Sequence, residues 1–390
     1  MAAALLADRA LPAVTRDVVA GRTVTPEAAG DAVAELLRET TEPVDAAAFL
    51  TAVAVTGAGP ELVAAAVRAV LAVARPVAWA GPAVDVVGTG GDGSGSVNIS
   101  TLAGLVAAAA GATVAKAGNR AATSRCGSAD LLEELGVELD AGERIPALLA
   151  EHRFAFLFTP ALHPALRRLA PVRRRLGFRS LFNLSGPLAN PVPLTGRLIG
   201  TATRRDQEVL AEAAGLLGHR RTWVVHGFGG MDELTTAGPA RVLQVDGGTL
   251  TESVVDPAQL SLRPAGPAEL AGGGPARNAV LAREVLAGTA AAPLLDMVLL
   301  NAAAVLSLAG TAPDLPAALS LARQAVREGA PAELADRLAR DRDRDRDRDP
   351  GRVRDQDQNR GRDRERVRDL VRDRVRAQTP QEGRHGHASR

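Results

Sequence analysis

Four clusters in this sequence combine residue types that could hold anions, a cation or a carboxylate. The first runs from Asp85 to Thr101. A β-branched run ends at Val87, five glycines fall within the eight residues Gly88 to Gly95, and a helical run begins near Ser100. Glycine lets the backbone approach an anion closely, and a helix start brings free N–H groups. The layout is that of a phosphate cradle; a purely structural glycine turn accounts poorly for so many glycines. Gly88, Gly90 and Gly93 also match the dinucleotide spacing, but that site wants an acid closing the next strand. Here the next strand ends at Lys116, and no Gly-Lys-Ser/Thr of a P-loop is present.

The second cluster begins at Lys116 and continues through Asn119, Arg120 and Ser128. Lys116, Asn119 and Arg120 can donate to phosphate or carboxylate oxygens. Ser128 can cap the following helix, face an anion, or both. Cys126 reads as an inert small residue. The third is the arginine-rich stretch Arg167 to Arg179, followed by Asn183 to Pro191. Its arginines form a solvated helix face, or one turns inward as a bidentate carboxylate site. The fourth is His226-Gly227-Phe228-Gly229-Gly230-Met231-Asp232-Glu233. Two adjacent carboxylates after glycines could hold Mg²⁺, which prefers oxygen ligands; an exposed acidic turn is the alternative.

The elements that must position these clusters follow from periodicity. Residues 1–76 read as helices, with Thr25-Pro26 as a cap and first helical position and further helices over 46–55 and 60–74. From Gly81, short β-branched runs alternate with Ala- and Leu-rich runs, the pattern of an α/β domain. Strands are predicted over 84–87, 113–116, 154–158, 198–202, 222–226 and 241–245. Helices are predicted over 101–110, 129–135, 164–169, 207–217, 279–286, 296–308 and 315–329. The fold class is thus α/β with a small all-α N-terminal domain: helices over 1–76, an α/β domain over 81–338, and an Arg/Asp-rich tail over 339–390 that reads as disordered or transiently helical.

Composition narrows the function. The chain has 390 residues and formal net charge +1, with 2% aromatics, no Tyr and one Cys. So few aromatics argue against a base-stacking platform, and one cysteine excludes an intrachain disulfide framework. No apolar run reaches the roughly 20 residues of a membrane span. The body carries a net −4 and the tail from Arg340 a net +5. The expectation is a cytoplasmic protein. Lys116 is the only lysine in the chain, as if a guanidinium would not serve there.

In order along the chain, GTGGD at 88–92, NIST at 98–101, KAGNR at 116–120, GSAD at 127–130, LHP at 162–164, VRRRLG at 172–177, LFNLSGPLANP at 181–191 and MDELT at 231–235 resemble the anthranilate phosphoribosyltransferase family over about residues 10–335. The resemblance implies a nucleoside-phosphorylase/anthranilate-phosphoribosyltransferase-like architecture, usually homodimeric. It implies attack of the anthranilate amino group on C1 of phosphoribosyl pyrophosphate (PRPP), with release of pyrophosphate. It places Gly88, Gly91, Asp92, Ser96, Asn98, Ile99, Ser100, Thr101, Lys116 and Ser128 on PRPP. It gives Ser100, Asp232 and Glu233 to two Mg²⁺ ions per subunit, and Gly88, Asn119 and Arg173 to anthranilate, with Arg173 on the carboxylate. No single catalytic residue is implied, because an aromatic amine is already neutral at pH 7.

The chain departs from the family pattern at three positions. Ala117 stands where the family has histidine near the aromatic substrate, Ser96 replaces a usual Thr, and Leu162 replaces a usual Tyr. Three readings follow: the tryptophan-pathway enzyme, a phosphoribosyltransferase for a related aromatic amine, and a non-catalytic relative binding nucleic acid weakly through its tail. Intact Lys116, Arg173, Asp232 and Glu233 speak against the last.

Overall fold

A computed structural model of the chain describes residues 9–121 and 124–348, with side chains up to Arg342. Four helices come first: α1 (Ala10–Val19), α2 (Pro26–Leu36), α3 (Pro43–Thr56) and α4 (Pro60–Ala72). Proline opens three of them, where its missing N–H costs nothing. Thr25 caps α2 as expected, its hydroxyl accepting from Ala28 N at 3.2 Å.

The α/β part then runs β1 (Val84–Gly88), α5 (Ile99–Ala109), β2 (Val114–Gly118), α6 (Ser128–Glu134), α7 (Ile145–His152), β3 (Phe154–Phe158), α8 (Thr159–Leu162), α9 (Pro164–Leu176), α10 (Leu181–Ser185), β4 (Gly196–Gly200), α11 (Arg204–Leu216), β5 (Thr222–His226), β6 (Ala240–Asp246) and β7 (Thr249–Val255). It closes with α12 (Pro267–Leu270), α13 (Pro275–Leu286), α14 (Ala292–Ala309), α15 (Leu315–Arg327) and α16 (Ala330–Arg348).

The sheet order is β3-β2-β1-β4-β5-β6-β7. The first five are parallel, and β6 and β7 are antiparallel additions. From β1 the chain winds outward through β2 and β3, then returns to place β4 on the other side of β1. Crossovers therefore diverge at the carboxyl ends of β1 and β4, the kind of switch point where open α/β sheets bind ligands. Gly88 and Gly200 face each other there in register.

One core packs α5 and α13–α15 against one sheet face. A second joins α1–α4 to α9–α11 and to Ile199, Val224, Leu243 and Val245 of the other face. Helix α14 is the single described helix long and apolar enough to cross a membrane by length and composition, and most of it is buried inside this protein. It packs on α5, α15, β4 and β1.

Three differences from the sequence reading have physical causes. Helix α9 does not stop before Pro171 but continues to Leu176, ending at left-handed Gly177. Pro171 is exposed and costs the bond to Arg167 O, while Leu169, Val172 and Leu176 gain the core formed with the N-terminal helices. Strand β7 was not foreseen: it is mostly exposed and polar, so alternation was invisible. Its signal was Gly247-Gly248, both at positive φ, the two-residue turn of a hairpin. Backbone helix also extends to Arg348, so the Arg/Asp repeat 340–348, read as disordered or transiently helical, continues α16. Residues 349–390 lie outside the described residues.

Candidate active site

The acidic pair lies across the switch point. A side chain at Gly88 would collide with the Asp232 carboxylate, and one at Gly200 with the Asp232 carbonyl. Only glycine at both strand ends lets segment 231–233 sit there. Fully buried Asn301 of α14 fixes the next residue: its Nδ2 donates to Leu234 O at 2.8 Å and its Oδ1 accepts from Leu234 N at 3.1 Å.

From this position the pair ties the cradle together. Gly90 N donates to Asp232 Oδ2 at 2.7 Å, and Ser100 N donates to Glu233 Oε1 at 3.2 Å. Asp92 Oδ2 accepts from Asp232 N at 3.5 Å. The helix-start amides thus differ from expectation. Ser100 N–H is committed to Glu233, Ile99 N–H to Val97 O and Thr101 N–H to Asn98 O. Among the described residues, the amides of Gly91, Gly93 and Gly95 donate to no protein acceptor, so the loop rather than the helix start offers anion donors. Ile99 and Thr101 are buried side chains under that helix start.

Lys116 is 2% exposed. Its Nζ donates to Val86 O at 2.5 Å and to Ser100 Oγ at 3.3 Å. Burial holds the ammonium below its usual pKa, while Asp85, Glu233 and Asp232 pull it back up. The compact ammonium lies between two strands and a helix, in contact with β1 and α5. Asp85 accepts from Ala117 N at 3.1 Å and from Asn190 Nδ2 at 2.8 Å, which also donates to Ala115 O. This buried pair fixes the end of β2.

Burial, then proximity to Asp92, pushes Asp232 up to about 6. Burial and Asp232 raise Glu233 well above the usual carboxylate range, and Lys116 opposes this. Two carboxylates whose pKa values are raised by burial and by neighbouring carboxylates, Asp92 for Asp232 and Asp232 for Glu233, are a site that a divalent cation would relieve. With Ser100 Oγ beside them, the donors are all oxygen, and they suit Mg²⁺.

The remaining predicted residues fall around this centre. Ser96 bridges to Ala271. Asn98 donates to Cys126 O at 3.0 Å and accepts from Asn278 at 3.0 Å. Cys126 is buried, its thiol pushed up to about 11 by burial and Asp130, in keeping with an inert role. Ser128 does not cap its helix: Gly127 does, with Asp130 Oδ2 accepting from Gly127 N at 2.9 Å. Ser128 Oγ instead donates to Asn119 O at 3.2 Å, joining two predicted site residues. Arg120 pairs with Asp130 and Glu133, so it anchors the loop rather than meeting an anion.

The arginine cluster divides. Arg167, Arg168, Arg174 and Arg175 are exposed, and Arg173 is half-buried. Arg173 lies 5.7 Å over the Phe182 ring and donates to Asn183 Oδ1 at 3.4 Å. Burial lowers its pKa. No contact among the described residues joins it to Gly88 or Asn119.

Beside the end of β2 lies a cavity leaving about 20 Å³ for the centres of water-sized molecules, lined by Ala117, Leu157, Thr159, Leu162, His163 and Leu166, among others. Two of the three departures, Ala117 and Leu162, therefore meet in one place. His163 is 5% exposed and its Nδ1 has no partner among the described residues. Burial holds its pKa below the ordinary histidine value.

Sequence reasoning assigned no role to Asp85, Asn190, Asn301 or Arg179. Asn301 carried a signal: it is an amide inside an 18-residue apolar helix. The others gave none, because their partners are distant in sequence.

Comparison with known proteins bears on the family and the fold. Residues 80–332 match the glycosyl transferase family a/b domain, and residues 12–74 match that family's helical bundle domain. The chain is 44% identical over 325 residues to anthranilate phosphoribosyltransferase of Oleidesulfovibrio alaskensis, covering 83% of this chain and 98% of that one. The crystal structure of the Thermus thermophilus anthranilate phosphoribosyltransferase matches with a TM-score of 0.78 at 42% identity, covering 85% of this chain and 98% of that one. The Saccharomyces cerevisiae enzyme in complex with PRPP and Mg matches with a TM-score of 0.79 at 26% identity, covering 86% and 98%. On matches spanning most of its length, and on the same architecture, this chain belongs to the anthranilate phosphoribosyltransferase family.

Proposed function

We propose that the cradle, the buried lysine and the acidic pair carry out the family's reaction, transfer of the phosphoribosyl group from PRPP to the amino group of anthranilate with release of pyrophosphate. The observation that carries this is the acidic pair at the switch point, hydrogen-bonded to the glycine loop through Gly90 and to α5 through Ser100. PRPP is assigned to Gly88, Gly91, Asp92, Ser96, Asn98, Ile99, Ser100, Thr101, Lys116 and Ser128. Ile99 is apolar and buried and its N–H is held by Val97 O, so its part is to shape the start of α5 beneath the loop.

Ser100, Asp232 and Glu233 would hold Mg²⁺, which when bound offsets charge growing on the departing diphosphate. Two ions per subunit are proposed because the carboxylates face different groups, Asp232 the loop and Glu233 the Ser100–Lys116 side. Lys116, in the middle of β2, places its ammonium beside Ser100, and loop amides can donate to the leaving group. Arg173 pairs with the anthranilate carboxylate, and Asn119 and Gly88 complete that side. The aromatic amine attacks as the neutral base, and its proton leaves after the C–N bond has formed.

The organisation proposed is a helical part over 1–76, an α/β part over 81–338 and the tail. A homodimer is supported by exposed Val19, Val44 and Val55 on the first helices. A single cysteine and a highly charged substrate fit the cytoplasm. A second reading, a related aromatic amine as acceptor, is supported by the cavity between Ala117 and Leu162. Steady-state turnover with PRPP, Mg²⁺ and either anthranilate or ring-substituted anthranilates tests both. Turnover of anthranilate is expected. No turnover of it by the wild-type chain or by Ala117→His, with PRPP still bound, would overturn the first reading.

A further inference from the structure

The structure assigns Arg179 a role that the arginine-rich sequence did not single out. It follows left-handed Gly177 at the end of α9, and its stem packs on the glycine loop: a Cβ at Gly91 would stand 3.1 Å from Arg179 Cδ and 3.4 Å from its Nε. Its guanidinium is held from behind. Nη1 donates to Asp206 Oδ2 at 3.0 Å, and Asp206 is fixed in the first turn of α11, where its N–H donates to the Thr203 hydroxyl at 3.0 Å. The side chain is a third exposed, yet Nε and Nη2 are buried and have no hydrogen-bond partner among the described residues.

Those two atoms form one edge of the guanidinium, the parallel N–H pair that matches two oxygens of a phosphate. Leaving a charged edge buried and unpaired is costly, so such a group in a native fold calls for a partner. The loop beside it is the phosphate cradle, and Gly90, Gly91, Gly93 and Gly95 all have positive φ. A loop with four such residues can re-seat with little steric resistance.

We infer that the Nε–Nη2 edge of Arg179 is a bidentate donor to the diphosphate of PRPP, covered by Gly91 and offered when residues 90–95 close around that group. Asp206 positions it. The inference rests on the reading of the loop as the PRPP cradle, and it adds a binding residue to those already assigned to it.

The test is direct binding of Mg²⁺-pyrophosphate by calorimetry, together with KM for each substrate, in wild type, Arg179→Gln and Arg179→Lys. Arg179→Gln should weaken pyrophosphate binding and raise KM for PRPP by about 10- to 150-fold, the span of a charge-assisted hydrogen bond. KM for anthranilate should stay within about twofold and the melting temperature should hold. Arg179→Lys, which keeps a charge for Asp206 but not the fork, should fall between. Unchanged pyrophosphate affinity in Arg179→Gln overturns the inference, as does a parallel rise of both KM values with a lower melting temperature. Should Arg179→Gln not fold, unchanged affinity in Arg179→Lys overturns it. Pyrophosphate binding needs no acceptor, so failure of the anthranilate reading would show separately, as absent wild-type turnover.

Discussion

At the carboxyl ends of β1 and β4, the polar side chains reach across from one segment to another. Asp232 holds Gly90, Glu233 holds Ser100, Lys116 holds Val86, and Asn301 holds Leu234. Past Ala117 the wall is different: Leu157, Leu162 and Leu166 line a small cavity with one unpartnered imidazole nitrogen. The first region is assembled from strand ends, loop and helix so that each charged group depends on several others. The second is made of side chains that can change one at a time. Charge stabilisation of a leaving diphosphate needs groups fixed in advance, whereas recognition of an aromatic ring tolerates changes of shape. Two of the chain's departures from the family pattern, Ala117 and Leu162, fall on the second region; the third, Ser96, is a conservative change in the loop.

The contrast is broken most severely at the acidic pair. Replacing Asp232 by Asn and Glu233 by Gln together should lower kcat/KM by more than about 10³-fold, since one preorganised electrostatic group commonly contributes 10²–10³. Because the change removes two carboxylates whose charged form burial disfavours, the melting temperature without Mg²⁺ should not fall. Near-normal turnover of the double variant at limiting Mg²⁺ would show that the pair does not hold the ion.

On the acceptor side, Arg173→Ala should cost about 10- to 150-fold in kcat/KM for anthranilate, the equivalent of 1.5–3 kcal/mol for a hydrogen bond to a charged group. KM for PRPP should change little. If both substrates suffer equally, Arg173 braces α10 through Asn183 and Phe182 instead of meeting the carboxylate.

Ala117→His sharpens the comparison. An added imidazole contact of about 0.5–1.5 kcal/mol should improve anthranilate kcat/KM by roughly 2- to 13-fold. It should also exclude ring substituents that the wild type admits. Equal selectivity in both forms would mean that the cavity does not face the acceptor.

The smallest effect is expected at the tail. A chain ending at Arg348 should keep its melting temperature and its kcat/KM for both substrates. The cut belongs there rather than at Leu338, because Ala339 packs 3.0 Å from a Cβ position at Gly136. Loss of a steeply salt-dependent DNA affinity on this truncation would favour a nucleic-acid contact made by the tail.

How much of this was legible beforehand varies by element. Strands β1, β2, β3 and β5 announce themselves because buried parallel strands are short β-branched or aromatic runs. The exposed β7 does not, and α9 runs through Pro171 because packing outweighs propensity. Of the site, the glycine loop, Lys116 and the Asp232–Glu233 pair could be read from residue type and order. Their linkage could not, since Gly90 and Asp232 are 142 residues apart.

The sequence by itself determined the inventory: a glycine-rich loop, a lone lysine, an acidic pair, an arginine-rich helix and an altered residue at 117. These are matters of chemical type and local spacing, which a linear chain displays. Tertiary structure decided which of them act together. Helix-start amides that looked free are taken, that of Ser100 by Glu233 and those of Ile99 and Thr101 by nearby carbonyls, and Ser128 serves Asn119 rather than its own helix. One guanidinium among many is turned onto the loop by Asp206. The contacts of Glu233 with Ser100 and of Asp206 with Arg179 join segments on either side of β4, and such distances through space are set by the connections of the fold rather than by position along the chain.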